Sequence, residues 1–564
     1  MFRTLTCAAA IAVTLLPAGV IAQSDPGAYL AGRQAGIDND FAMAARYFTQ
    51  SMMSDPANPA LMERAMTAYV LLGQVDRARP IADRMVAEGF DSQLAYLIRV
   101  ATAAEAGNWS NIEGDLDGPL AVSPLADGLF RAWAALGQGT VDDALSRFDA
   151  VIDGEGMRTY GIYHKALALA SVGDYESALE TIELINVDGR AYSKRSAVAH
   201  AQILSQLGRN EAAEARLLTV FGNTLDPSIV QMRADLAAGQ TLSFDIAPTP
   251  RAGVAEVAHM IAQLIDGETP DPLTLQYVRI AQHLAPTDTD TIMFAGDLLQ
   301  DLDRHLLASE TFAKVSPSDP AFANAELGRI DALRRVDRSD AAVEVARALT
   351  RSHSDLPFVH AKLGDVLRAN RDFTGAFEAY STALSLYPDD DPNRWLVLYT
   401  RAISAHAEDN WPQAETDFRA ALALNPDQPQ VLNYLGYSLV ERNEKLDEAL
   451  TMIETAVAAQ PDNGAIVDSL GWVLFQLGDY EDSVFHMERA ASLEATDPII
   501  NDHLGDAYWA VGRKIEAAFQ WQRALSFDPG DELADRIRLK LEIGLDAVLE
   551  AEGGKLIHLA NDEG

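Results

Sequence analysis

Small and large apolar positions follow one another along this chain with a long period, clearest in its C-terminal part. A leucine–glycine pair stands at Leu363-Gly364, Leu435-Gly436, Leu470-Gly471 and Leu504-Gly505. Each is followed by a small residue (Ala376, Ala449, Ser483, Ala517) and, four positions on, by a large one (Tyr380, Ile453, Met487, Trp521). Residues four apart share one face of a helix, so the spacing predicts helix rather than strand. Pro388, Pro426, Pro461 and Pro529 then close the copies, because proline cannot donate the helical hydrogen bond. The stretch between Pro388 and Pro426 is a further copy, with Trp395, Tyr399, Ala402, Ala414, Phe418 and Ala421. From Gly436 to Gly471 the step is 35 residues, and from Gly471 to Gly505 it is 34. Each copy reads as two short amphipathic helices joined by a tight turn, with Asp389, Asp427 and Asp462 as polar caps beside the prolines. The glycines fall where the two helices cross, and the large residue of the second helix fills the space a side chain would need.

The same order runs upstream in a worn form. Gly32, Ala44, Phe48 and Pro56 make a first copy, and Ala65, Tyr69 and Ala78 a second. Asn108-Trp109, Ala144 with Phe148, Ala178 with Ile182, and Gly208 with Ala212 mark others. Gly296, Ala308, Phe312 and Pro320 form a regular copy again, followed by an irregular one at Leu327-Gly328 and Ala341. Proline and glycine interrupt the order at 239–250 and 267–272, with a helical stretch, Val254 to Ile265, between them. The expected organisation is an N-terminal array over 23–238, an irregular linker or helical pair over 239–290, a regular array over 291–530, and a closing segment over 531–564. Two readings of 239–290 stand at this point: a hinge, or one divergent repeat within a continuous array. In the last segment Leu533, Ile537, Leu541 and Leu545 recur every four residues, which predicts a helix that covers the open end of the stack, stopped at Gly553-Gly554 and frayed from Lys555.

These residues resemble the tetratricopeptide repeat (TPR) family, whose pattern places Leu-Gly, Tyr, Ala, Phe and Pro at a period near 34. The resemblance implies an all-α fold, a TPR α-solenoid coiled as a right-handed superhelix of helix pairs, with the first helix of each pair lining a concave groove. The residues on that stripe are Asn433 and Tyr437, then Asp468, Trp472 and Phe475, then Asp502, Asp506 and Trp509. Interleaved aromatic and polar groups of this kind suit an extended peptide or a partner helix. For Trp472 and Trp509, burial between helices is the competing reading.

A narrower likeness covers the last third of the chain. The segments 433–439, 466–472 and 500–509 look like a bacterial envelope TPR subgroup of adaptors for a C-terminal processing protease. That resemblance implies a scaffold that recruits a periplasmic protease and brings it peptidoglycan hydrolases as substrates. The adaptors are lipoproteins, and this sequence lacks a lipobox cysteine. Its one cysteine, Cys7, lies inside the apolar run Cys7 to Leu16 behind Arg3. That run, followed by Pro17 and the small residues up to Ala22, predicts a secretory signal peptide over 1–22, with an uncleaved anchor as the competing reading, and a periplasmic protein, associated with the outer membrane if the resemblance extends that far. The alternative role is a structural assembly factor for outer-membrane or exported surface-polymer machinery.

Composition narrows the chemistry. A net charge of −39 repels phosphate backbones and argues against nucleic acid as a partner. It reads either as a solvated surface or as a preference for basic partners. No later stretch reaches the length of a membrane span. No Walker-type loop, Gly-x-Ser-x-Gly elbow or His-Glu-x-x-His helix occurs, so no enzyme activity and no cofactor are expected. His503 and Asp506 lie three apart on one helix face, but no third ligand stands nearby, and no metal site is expected. Asp389-Asp390-Asp391 reads as solvated caps.

Overall fold

The structure is a computed structural model and describes residues 25–116, 122–185, 193–269 and 271–553. The expected signal peptide over 1–22, with Cys7, and the expected frayed tail from Lys555 lie outside the described residues. Among the described residues there are 31 helices and no strand, the all-α TPR solenoid the repeats predict. The chain divides into two compact units, up to Val345 and from Ala346.

In the second unit the repeats become helix pairs: Pro357–Ala369 with Phe373–Leu386, Arg394–Ala407 with Trp411–Leu424, Pro429–Glu441 with Leu446–Ala459, Gly464–Leu477 with Tyr480–Leu493, and Pro498–Ala510 with Lys514–Ser526. The small-to-large contact sets their spacing. A Cβ on Gly364 would fall 2.5 Å from the Tyr380 ring, on Gly471 2.8 Å from Met487, and on Gly505 2.4 Å from Trp521. At the small position of the fourth pair, the Ser483 hydroxyl donates to the carbonyl of Gly471 at 2.8 Å, so the polar group is satisfied inside the crossing. Gly478 takes φ 94° to end its helix and turn the chain, a conformation that suits glycine. The prolines fall just beyond the second helices, as predicted. The caps do not fall on Asp389, Asp427 and Asp462: Asn393, Gln428 and Asn463 take the N-cap positions of the helices that follow, and Asn463 accepts from the Ile466 N–H at 3.1 Å.

The first unit begins with the same pairing, from Pro26–Ile37 with Phe41–Ser54 through Lys194–Gln206 with Asn210–Phe221. The first worn copy keeps its contact, an ideal Cβ on Gly32 falling 3.1 Å from Phe48, and between copies one on Gly137 would fall 2.4 Å from Trp109. The segment 239–290 lies wholly in this unit and holds two helices, Pro250–Ile265 and Asp271–Leu284. These two helices pack back against earlier ones. Pro250–Ile265 lies on Gln93–Ala106, Pro124–Gly137 and Arg158–Ser171, and Asp271–Leu284 lies on Pro59–Leu71, Val75–Ala87 and Gln93–Ala106. Nearly all of these are first helices of their pairs, so the central pair occupies the row of the first unit that would otherwise line a groove. Its burial follows: every residue from Gly253 to Ala262 is buried, whereas an ordinary surface helix buries one stripe. Gly253 permits the approach, since a Cβ there would fall 2.2 Å from the Trp133 ring.

Candidate functional site

The first helices of the second unit carry the candidate site. Arg394–Ala407, Pro429–Glu441, Gly464–Leu477 and the start of Pro498–Ala510 enclose an open cleft of about 320 Å³. Asn433, Tyr437 and Asp468, three of the eight stripe residues, line it. The cleft is also lined by His406, Glu441 and Asp497, which the repeat pattern did not single out. For Glu441 the signal was available, because it stands four residues beyond Tyr437 on the same face. The others come from helix ends, where the repeat register says little.

Trp472 and Phe475 sit beside the cleft in a stack. The Trp472 ring lies 4.1 Å from the His503 ring at 13°, and 5.0 Å from the Phe475 ring at 4°. Trp472 is half-buried, and Phe475 is buried. The stack sets the position of His503, whose Nδ1–H donates to Asp468 Oδ2 at 2.9 Å. Burial alone would depress the His503 pKa, but the Asp468 carboxylate, with Asp502 and Asp506 behind it, outweighs burial and raises the pKa above its ordinary 6.5. A base with a raised folded pKa stabilises the fold fully below its unfolded value and loses that contribution as pH rises through the folded value. The stability lost on His503→Gln is therefore expected to be largest below pH 6.5 and to shrink as the pH rises above it. Urea titrations of parent and variant across that range measure it, and a loss that grew with pH would contradict the assignment.

Asp502, Asp506 and Trp509 depart from the expected open stripe. The closing helices Asp531–Ile543 and Leu545–Glu552 bury Asp502 and Asp506 and leave Trp509 half-buried. Lys540, 1% exposed, places its Nζ 2.8 Å from Asp502 Oδ2 and 2.7 Å from Asp506 Oδ1. Trp521 Nε1 donates to Asp506 at 2.9 Å, and Trp509 Nε1 donates to Asp546 at 2.9 Å. These three residues thus close the end of the stack, because a lysine on the closing helix supplies the charge that two buried carboxylates require. Of the His503–Asp506 pair, Asp506 is held by Lys540 and Trp521, and His503 bonds Asp468 through Nδ1.

A larger cavity of about 840 Å³ lies in the first unit. Its wall is an ion network. Arg195 Nε donates to Glu256 Oε2 at 2.8 Å, and Arg195 Nη1 reaches Asp288 at 3.1 Å. The Tyr163 hydroxyl donates to Glu256 Oε1 at 2.7 Å, and His259 Nδ1 lies 2.8 Å from the Thr291 hydroxyl. Nearby, Trp133 Nε1 donates to His164 Nδ1 at 3.1 Å, which keeps that imidazole neutral, and burial lowers its pKa to about 3. No repeat signal marks these residues, since helices far apart in sequence contribute them. Among the described residues no helix is long and apolar enough to cross a membrane.

Residues 327–391, 399–463 and 439–498 match the tetratricopeptide repeat family. A TPR repeat-containing protein of Pseudomonas aeruginosa, PA4667, is 30% identical over 215 residues, which is 37% of this chain and 35% of that protein. Protein FlbA of Caulobacter vibrioides is 30% identical over 123 residues, 22% of this chain and 20% of its own length. The chain thus spans about a third of the first relative and a fifth of the second. Among solved structures, the APC/C hetero-tetramer Cut9–Hcn1 matches 92% of this chain and 96% of its own at 15% identity and a TM-score of 0.38. A thermophilic TPR protein of Thermus thermophilus matches 33% of this chain and 100% of its own at 24% identity and a TM-score of 0.29. The chain carries tetratricopeptide repeats, and such repeats serve as protein-interaction scaffolds.

Proposed function

We propose that this chain is a non-catalytic adaptor of the bacterial cell envelope, whose second unit holds a partner protein in the cleft between Asn433, Tyr437 and Asp468. Its role is to recruit a processing protease and to bring it substrates of the peptidoglycan-hydrolase class. The observation that carries the binding reading is the cleft itself: it is open, and it is walled by polar groups and aromatic rings on adjacent first helices. The envelope assignment rests on the segments 433–439, 466–472 and 500–509 and on the export signal at the N-terminus.

The test is copurification from cell-envelope extract with the tagged full chain. A protease and its substrate are expected with the parent and are expected to be lost with Asn433→Ala and Tyr437→Ala together. Recovery of outer-membrane assembly or polymer-synthase components in place of a protease would replace the adaptor role with a structural one. Interactions untouched by the double variant would remove the cleft from the site.

A further inference from the structure

The charge of the cleft specifies its occupant more narrowly than the adaptor reading does. Glu441, Asp468 and Asp497 line it, and among the described residues no lysine or arginine does; its one basic group is His406, whose Nδ1 is 3.3 Å from the Tyr434 hydroxyl. Asp497 spends its carboxylate on its own helix, accepting from Ile499 and Ile500 N–H at 2.8 and 3.0 Å. Asp468 does not. It is 5% exposed, and while Oδ2 accepts from His503, Oδ1 has no hydrogen-bond partner among the described residues. Asn433 Oδ1, on the neighbouring first helix that also lines the cleft, is likewise unpartnered. Two acceptors in one wall without a donor are unfavourable, because a buried polar atom that loses water and gains nothing keeps its desolvation penalty. The side chains of the cleft do not meet this need. The Tyr437 hydroxyl is turned to Glu441, and burial together with Glu441 and Asp468 holds its pKa above the ordinary value.

We infer that the cleft takes a basic side chain, lysine or arginine, from an extended segment of the partner protein. Its cationic head pairs with Asp468 Oδ1, Asn433 Oδ1 and the Glu441 carboxylate, and its aliphatic stem lies along the Tyr437 ring. Charge complementarity excludes an acidic segment, which would set like charges together in a partly dry site. A cation also has donors in excess, so it satisfies both oxygens at once, and charge-assisted hydrogen bonds are the stronger kind. This inference rests on the reading that the cleft binds protein, and it adds the chemical class of the group bound.

The probe is a set of nine-residue peptide libraries, randomised at every position except the centre, which is fixed as arginine, lysine, citrulline, norleucine or glutamate. Binding to the immobilised full chain is read by fluorescence. Arginine and lysine libraries are expected to bind about tenfold tighter than the citrulline and norleucine libraries, a difference of about 1.4 kcal/mol, and the glutamate library weakest. The preference is expected to fall in Asp468→Asn and in Glu441→Gln. Glu441 is exposed, so its variant keeps the fold even where the change at the buried Asp468 disturbs it. Equal binding of norleucine and arginine libraries, a basic preference that survives both variants, or no library binding at all would overturn the inference. The adaptor reading is judged apart from this: partners that copurify in a Tyr437-dependent way without a basic preference leave it standing, while partners indifferent to Tyr437 remove the cleft itself.

Discussion

Lys540→Met is expected to destabilise the second unit by about 3–5 kcal/mol, the size of effect seen when one partner of a buried ion pair is removed. Among the described residues, Lys540 is the only full neutralising partner of two carboxylates that are themselves 1% exposed, Asp502 and Asp506. Arg536 approaches both only to 3.9 and 4.0 Å. Without the ammonium, two carboxyls remain side by side away from water, where burial and Asp502 already raise the Asp506 pKa with Lys540 opposing them, so one must hold a proton or the closing helices are pushed outward. A lowered urea midpoint reports the loss, and tryptophan fluorescence should change with it, because Trp521 and Trp509 are hydrogen-bonded to Asp506 and Asp546. The added changes Asp502→Asn and Asp506→Asn are expected to restore most of the stability, since they remove the charges that Lys540 serves. A loss under about 1 kcal/mol, in the range of exposed pairs, would show that the three groups do not act as a buried pair.

That cluster also marks where the sequence stops being legible. The helix pairs could be read because one contact, glycine against a large residue, repeats at a fixed period, as Gly364 with Tyr380 and Gly505 with Trp521. A closing helix could be read from Leu533, Ile537 and Leu541, but the expected single helix through Leu545 is two: Gly544, at φ 85°, ends Asp531–Ile543 and Leu545 opens Leu545–Glu552, with Ile537 and Leu545 both buried. Lys540 could not. A lysine inside an amphipathic helix reads as solvated, and only the tertiary position of Asp502 and Asp506 turns it inward. The stripe Asn433, Tyr437 and Asp468 lines the cleft, whereas Asp502, Asp506 and Trp509 obey the same register and meet the closing helices, the two aspartates buried and Trp509 half-buried. Helical periodicity gives the face and not what lies on it. Trp472 resolves between its two readings, half-buried against His503 and Phe475 at the edge of the cleft.

The central pair of the first unit shows the same limit, and its ion network gives the second large effect. Arg195→Met is expected to cost about 3–5 kcal/mol at neutral pH, because it strands Glu256, which is 2% exposed, and leaves Asp288 without its main counter-charge. Lysine at this position would not restore the parent, since one ammonium cannot reproduce the guanidinium fork that reaches both acids. The pH dependence carries the sign. Burial raises the Glu256 pKa above 4.5 even with Arg195 opposing it, so removing Arg195 raises it further. A carboxyl with a raised folded pKa holds its proton in the folded state, and that stabilisation is lost as pH rises through the folded value. The gap between parent and variant should therefore be widest at neutral pH and narrow as pH falls toward 4.5, where Glu256 is protonated in the variant. Adding Glu256→Gln should narrow it at neutral pH as well, because the amide oxygen can still accept from the Tyr163 hydroxyl. Hydrogen exchange locates the effect: amides of Pro250–Ile265 should exchange faster in Arg195→Met, because Glu256 is the point at which that helix is tied to Tyr163 and Arg195. A gap independent of pH, or exchange unchanged in that helix, would show that the network does not hold the central pair against the row of first helices it occupies.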